Sequence, residues 1–281
     1  MKINIIVDSG ADYTSAEIKK YGLYVLPLKL SFGETMYRDG LDISMEEFYK
    51  LLKTSDELPK TSQICPYEYE KEYKKIKEAG ECAVVITLSS ALSGCYQSAC
   101  IAAEGYSDII KVVDSKSVSI GERLVVQRAM DLIEDGKTIA DIADILTEDI
   151  KKLKVVAALD TLTYLKKGGR LSTAAYAAGC LLSLKPIVQV TEGAVEYVCA
   201  ARGCKKIHST LSKAVKKAGR IDKSMPRAFA YSGMDRGILE EYIISSPDLF
   251  PDPERYQVGG IGPAIGTHIG PGAIAVAFFA E

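Results

Sequence analysis

The sequence predicts an α/β fold in two domains: an amino-terminal three-layer domain around a parallel sheet, residues 1–153, and a carboxy-terminal α/β domain with a mixed sheet, residues 154–281. Three observations lead there. Short apolar runs alternate with amphipathic helical stretches through the first half, the order that builds parallel strands joined by helices. Three of these segments close on Asp8-Ser9, Ser89-Ser90 and Asp114-Ser115, where a parallel sheet gathers its ligands at the carboxyl ends of strands. Beyond residue 154 the strands become shorter and more varied, and a length of 281 residues suits two ordinary domains better than one.

The elements follow in order. Residues 3–7 form an apolar run that reads as a buried strand opening into a polar loop. Residues 15–21 are the first helix, and residues 24–32 alternate as a second strand. Residues 33–42 are a turn-rich connection. Ser44-Met45-Glu46-Glu47 is a capping box that starts the next helix. Residues 59–66 are loop, 67–79 a charged amphipathic helix, and 82–88 a buried strand. A helix follows through residue 103, then a strand at 109–113 and helices at 121–135 and 138–152. In the second half, strands are expected at 155–159, 187–190, 194–200, 227–231, 255–259 and 273–280. Residues 174–182 form a small-residue helix, with further helices at 208–218 and 236–245.

Composition narrows the function classes. The 35 basic and 37 acidic residues give a net charge of −2, with no long basic block, so broad nucleic-acid binding is not expected. Seven cysteines, an odd number without a CxxC pair, describe reduced, packed thiols in a cytoplasmic protein and no disulfide framework. Only two histidines are present, so no Cys/His metal site is expected. The amino terminus shows no signal-peptide pattern, and the most apolar stretch, residues 176–190, is interrupted by Lys185 and Pro186 and is too short to span a bilayer. No stable membrane insertion is expected.

Four stretches can carry chemistry. Thr61 and Ser62 stand between Pro59 and Pro66, where stiff extended backbone can fix hydroxyl donors; a rigid surface turn is the plainer reading. Ser93 and Gly94 precede a helix, whose unpaired N–H groups favour an anion; an ordinary helix cap is the alternative. Arg170 follows Lys166-Lys167-Gly168-Gly169 in a segment without P-loop spacing, so it is either an anion-facing loop or an exposed basic turn. The glycine-dense segment 259–272 holds His268, either a packed core imidazole or a site residue that backbone brings close to a ligand. Ser9 and Ser115 can equally be helix caps, and His208 in a lysine-rich helix is expected to be exposed. No general base stands beside Ser93. The hydroxyls, Arg170 and His268 form an anion-reading set without a reactive nucleophile.

Taken together, these motifs resemble the DegV family of fatty-acid-binding proteins, which includes the FakB-type subunits of bacterial fatty acid kinase. The resemblance rests on Ile6-Val7-Asp8-Ser9, Lys60-Thr61-Ser62-Gln63, Leu88 to Gly94, Val113-Asp114-Ser115, Tyr164 to Ser172, Lys185-Pro186-Ile187 and Gly266 to Gly272, in family order over essentially the whole chain. Three positions depart from it: Cys65 intervenes before Pro66, Cys95 stands where Thr is common, and Ala275 replaces a glycine.

The resemblance implies a long-chain fatty acid held in an apolar tunnel between the domains. Its carboxylate would meet Thr61, Ser62, Ser93 and Gly94, with Arg170 and His268 supporting the head group or a later phosphate step. It implies a partner, a fatty acid kinase subunit that binds ATP, so that this chain has no cofactor of its own and is not catalytic alone. Two other readings remain open: a freestanding acyl hydrolase using Ser93 and His268, and a lipid-responsive regulatory protein.

Overall fold

The computed structural model describes residues 1–55, 57–171, 184–203 and 206–281. The amino-terminal half runs β1 (Ile3–Asp8), α1 (Ser15–Tyr21), β2 (Tyr24–Leu26), β3 (Lys29–Phe32), β4 (Thr35–Arg38), α2 (Met45–Thr54), β5 (Lys60–Ser62), α3 (Pro66–Glu78), β6 (Cys82–Thr87), α4 (Cys95–Ala103), β7 (Ile110–Asp114), α5 (Ile120–Glu134) and α6 (Ile139–Ile150). Strands β2, β1, β6 and β7 form a parallel sheet in that order. Every residue of β6 is buried, which explains its unbroken apolar run. The α3/α4 pair and the α5/α6 pair pack on this sheet. Thr14, Ser44 and Thr138 each close a capping box with the acidic residue three positions on, so three of the helices begin where local chemistry dictates.

Residues 24–32 are not one strand. β2 joins the parallel sheet, whereas β3 leaves it after Pro27 and Leu28 to pair with β4 and β5 in a separate three-stranded antiparallel sheet. The turn-rich connection at 33–42 therefore contains a strand, and so does the loop at 59–66. That small sheet matters because β5 carries Thr61 and Ser62.

The carboxy-terminal half comprises β8 (Leu153–Ala158), α7 (Thr163–Lys167), β9 (Leu184–Thr191), β10 (Ala194–Arg202), α8 (Ile207–Ala218), β11 (Arg227–Tyr231), α9 (Gly237–Ile244), β12 (Gln257–Gly260), α10 (Pro263–Ile269) and β13 (Ile274–Phe279). Among the described residues its sheet has the order β10-β9-β8-β13-β11-β12, with β11–β12 parallel and the other pairs antiparallel. The two-residue period of a strand divides this sheet's faces. Ala228, Ala230, Ala275 and Ala277 join the core shared with the amino-terminal domain, where α5 packs against both sheets. Phe229, Val276 and Phe278 point into a second core under α8 and α9. Small side chains thus bring α5 close, and large ones fill the outer face.

The glycine-dense segment 259–272 is not a loop throughout, because it contains α10. His208 is half-buried rather than exposed, hydrogen-bonded to Ser245 and packed on the Tyr242 ring. Ser172, the expected helix at 174–182, Cys180 and Cys204 lie outside the described residues. Among the described residues no helix is long and apolar enough to cross a membrane.

Candidate functional site

Thr61 sits on β5, whose pairing with β3 places Thr61 opposite Leu30. Across from it, α10 presents His268, and Thr61 Oγ1 lies 2.8 Å from His268 Nε2. Burial, with the Arg170 guanidinium nearby, pushes the imidazole pKa down to about 4. His268 is therefore neutral near pH 7 and offers one ring donor and one ring acceptor.

Arg170 follows α7. Its Nε donates to the Leu92 carbonyl at 3.0 Å and its Nη1 to the Gly168 carbonyl at 2.6 Å. The first bond ties the segment after α7 to the loop before α4, across the two halves of the chain. Gly168 permits this arrangement by close approach: a Cβ there would lie 2.2 Å from His268 Nδ1.

Ser93 and Gly94 lead into α4. The Ser93 hydroxyl accepts from the Cys95 N–H and donates to the Cys95 sulfur, each at 3.3 Å. Burial raises the Cys95 thiol to about 11, so it stays protonated. His268 is engaged with Thr61 and Ser93 with Cys95, so the hydrolase reading finds no Ser93–His268 hydrogen bond here. At Gly94 a Cβ would fall 1.9 Å from Gln63 Oε1, and Gln63 also donates to the Ser98 hydroxyl at 3.0 Å. Gln63 stands in the motif with Thr61 and Ser62 but was not among the expected site residues; its amide beside two hydroxyls between Pro59 and Pro66 was the available signal.

Thr61, Ser62, Ser93, Gly94, Arg170 and His268 all line one cavity of about 310 Å³. Gln63 completes its polar end. Leu28, Leu88, Leu92, Val118, Leu165, Val195, Ala264, Ile265 and Ile269 form the remaining walls. Val118, Leu165, Val195, Ile265 and Ile269 also bound a second cavity of about 60 Å³, continued by Val155, Ala157, Val188, Ala273 and Ala275. On the other side, Thr61, Arg170 and His268 border a cleft of about 670 Å³ that also holds Lys60, Tyr164 and Lys167. The three polar residues thus stand between an open basic cleft and an increasingly apolar interior.

The other motif hydroxyls have structural partners. Ser9 donates to Asp39 at 2.7 Å and accepts from the Leu28 N–H at 3.0 Å. Ser115 is buried and donates to the Ser117 carbonyl at 3.2 Å. Ser89 is buried and accepts from the Ala91 N–H, while Ser90 N–H donates to Asp114. No group of three or more His, Cys, Asp or Glu that could hold a metal ion occurs among the described residues.

A parallel sheet in the amino-terminal half and a mixed sheet in the carboxy-terminal half, with one polar-ended cavity lined by residues of both halves, define a two-domain α/β architecture. The chain belongs to the DegV family: the family model described as "Uncharacterised protein, DegV family" matches residues 2–281. A DegV domain-containing protein of Clostridium acetobutylicum is 34% identical over 100% of this chain and 99% of its own. Among solved structures, a DegV family protein from Thermus thermophilus, described by its fatty-acid binding, is 28% identical with a TM-score of 0.88 over 100% of both chains. A stearic-acid-binding protein from Eubacterium ventriosum is 26% identical, with a TM-score of 0.88 over 99% of this chain and 98% of that one.

Proposed function

We propose that this protein binds a long-chain fatty acid, with the carboxylate at Thr61, Ser62, Ser93 and the Gly94 backbone and the tail directed toward Val118, Ile265 and Ala275. The observation that carries this reading is the gradient of polarity: hydroxyls and an amide at one end of the main cavity, aliphatic side chains elsewhere, and an apolar second cavity sharing five of its walls. Each methylene taken from water contributes roughly 0.8 kcal/mol, so the tail supplies most of the affinity. The carboxylate needs donors to replace its water, and hydroxyls supply them without a full counter-charge. If neutral His268 donates Nε2–H to Thr61, the Thr61 hydroxyl is left to donate to the carboxylate. The descriptions of the Thermus and Eubacterium relatives support the same ligand class.

In this reading the protein is a carrier whose head-group end is accessible from the basic cleft. A separate ATP-dependent fatty acid kinase subunit phosphorylates the presented carboxylate there, and Arg170 and His268 steady the negative charge that develops. Displacement of a fluorescent fatty acid by palmitate from delipidated protein tests the binding step. Saturable binding, weakened roughly tenfold in Ser93→Ala, is expected; absence of saturable binding sinks the reading. Arg170→Ala, assayed with the kinase subunit, tests the second step: unchanged turnover with intact binding removes that role.

A further inference from the structure

Helix α10 has no side-chain cap of its own. Its N-cap is Gly262, which has no side chain, and its first residue is Pro263, which has no N–H. A carboxyl group from the amino-terminal domain takes the N–H of the cap residue instead: Asp12 Oδ1 accepts from the Gly262 N–H at 2.9 Å. Asp39 stands beside it, its Oδ1 3.8 Å from where a Cβ on Gly262 would lie. Both aspartates are buried, at 9% and 4% exposure. Each is fixed from behind by a hydroxyl, Asp12 by Ser119 and Asp39 by Ser9. A buried carboxyl group costs free energy unless its oxygens are hydrogen-bonded, so the bond from Gly262 N–H serves both Asp12 and the helix end.

The same helix carries His268 near its other end, six residues from Gly262 and so about 9 Å along the axis. The helix is wedged closely as well: a Cβ at Gly266 would lie 2.7 Å from the Phe48 ring and 2.8 Å from the Tyr49 hydroxyl. The connections close a circuit. Ser9 holds Asp39 and the Leu28 N–H; β3 follows Leu28 and pairs with β5; β5 presents Thr61; Thr61 meets His268 on α10; and Asp39 stands beside Asp12 at the amino end of α10.

We propose that Asp12 is a positioning residue for the head-group site: it clamps the amino end of α10 and thereby sets His268 against Thr61, although it does not line the cavity that His268 faces. A shift of α10 along or about its axis also moves Ala264, Ile265 and Ile269, which wall that cavity. The geometric part of this proposal is independent of the ligand; only its effect on affinity rests on the fatty-acid reading.

The experiment is NMR of histidine-labelled protein at fixed pH. The chain has two histidines, and His208→Gln identifies the His268 signal. Asp12→Ala is expected to move the His268 ring resonances and to weaken palmitate binding roughly tenfold. Asp12→Asn keeps a carbonyl oxygen for the Gly262 N–H and is expected to restore the resonances. An unmoved His268 signal in the folded alanine variant overturns the proposal, as does a failure of asparagine to restore it. Should the alanine variant not fold, Ser119→Ala carries the test, because it releases Asp12 without deleting it: a displaced His268 signal supports the clamp and an unmoved one overturns it. Displaced signals in a protein that binds no fatty acid keep the clamp and remove the lipid reading instead.

Discussion

The Thr61 hydroxyl and the His268 imidazole meet at 2.8 Å, joining a three-residue strand of the amino-terminal domain to a short helix near the carboxyl terminus. Thr61→Val keeps the side-chain shape and removes the hydroxyl. A hydrogen bond to a charged group is worth about 1.5–3 kcal/mol, so fatty-acid affinity should fall by about one to two orders of magnitude. Calorimetric titration with palmitate checks this. The melting temperature should change little, because Thr61 is only partly buried.

The pH dependence of stability has two opposed components. His268 is held down to about 4 from an ordinary value of 6.5, so the unfolded chain binds more protons between those values. Its contribution is present above pH 6.5 and is lost as pH falls toward 4. Asp12, raised to about 8, and Asp39, raised to about 6, work the other way: burial favours their protonated forms, so their contribution is present at low pH and is lost as pH rises through those values. Thermal melts should show His268→Gln losing ground to the wild type between pH 4 and 6.5. Asp12→Asn should gain on it between pH 6 and 8. Parallel curves at all pH values would contradict both assignments.

Two glycines at the site should respond differently to alanine. At Gly168 the new methyl meets the His268 ring at 2.2 Å and the Tyr164 carbonyl at 3.1 Å, and neither yields freely. Overpacking of this kind costs about 1–3 kcal/mol, and affinity should fall with stability. At Gly94 all three nearest contacts are at the end of the Gln63 side chain, which can swing away. Gly94→Ala should melt within a few degrees of the wild type, and denaturation midpoints will separate the two.

The small cavity beside Ala275 should govern chain length. Ala275 pairs across the sheet with Ala157, and both line that cavity. Ala275→Leu would fill it while leaving the polar end intact. Affinity for an acid of about sixteen carbons should drop roughly tenfold or more, and that for a ten-carbon acid should hold, given the methylene contribution. Equal losses for both chain lengths would place the tail elsewhere.

Elements coded by local chemistry were legible in the sequence. The capping box at Ser44 marks a helix start, and the apolar run of β6 marks a buried strand without reference to the rest of the fold. The small β4-β3-β5 sheet was not legible, because its strands are three or four residues long and β4 and β5 are largely exposed, so they carry little alternation. Helix α10 was hidden in its glycines: its capping acceptor, Asp12, comes from the far end of the chain, and Gly266 serves contact with Phe48 and Tyr49 rather than helix propensity. Thr61, Ser93, Arg170 and His268 could be picked out by residue type and neighbours. The Thr61–His268 pairing and the tie from Arg170 to the Leu92 carbonyl depend on tertiary structure and could not.

The most direct measurement is mass spectrometry of the protein purified without denaturation, followed by lipid extraction and comparison with Thr61→Val prepared identically. A long-chain fatty acid is expected at close to one molecule per chain in the wild type, and less in the variant. Wild-type protein that carries no fatty acid, and takes up none when palmitate is supplied, would contradict it.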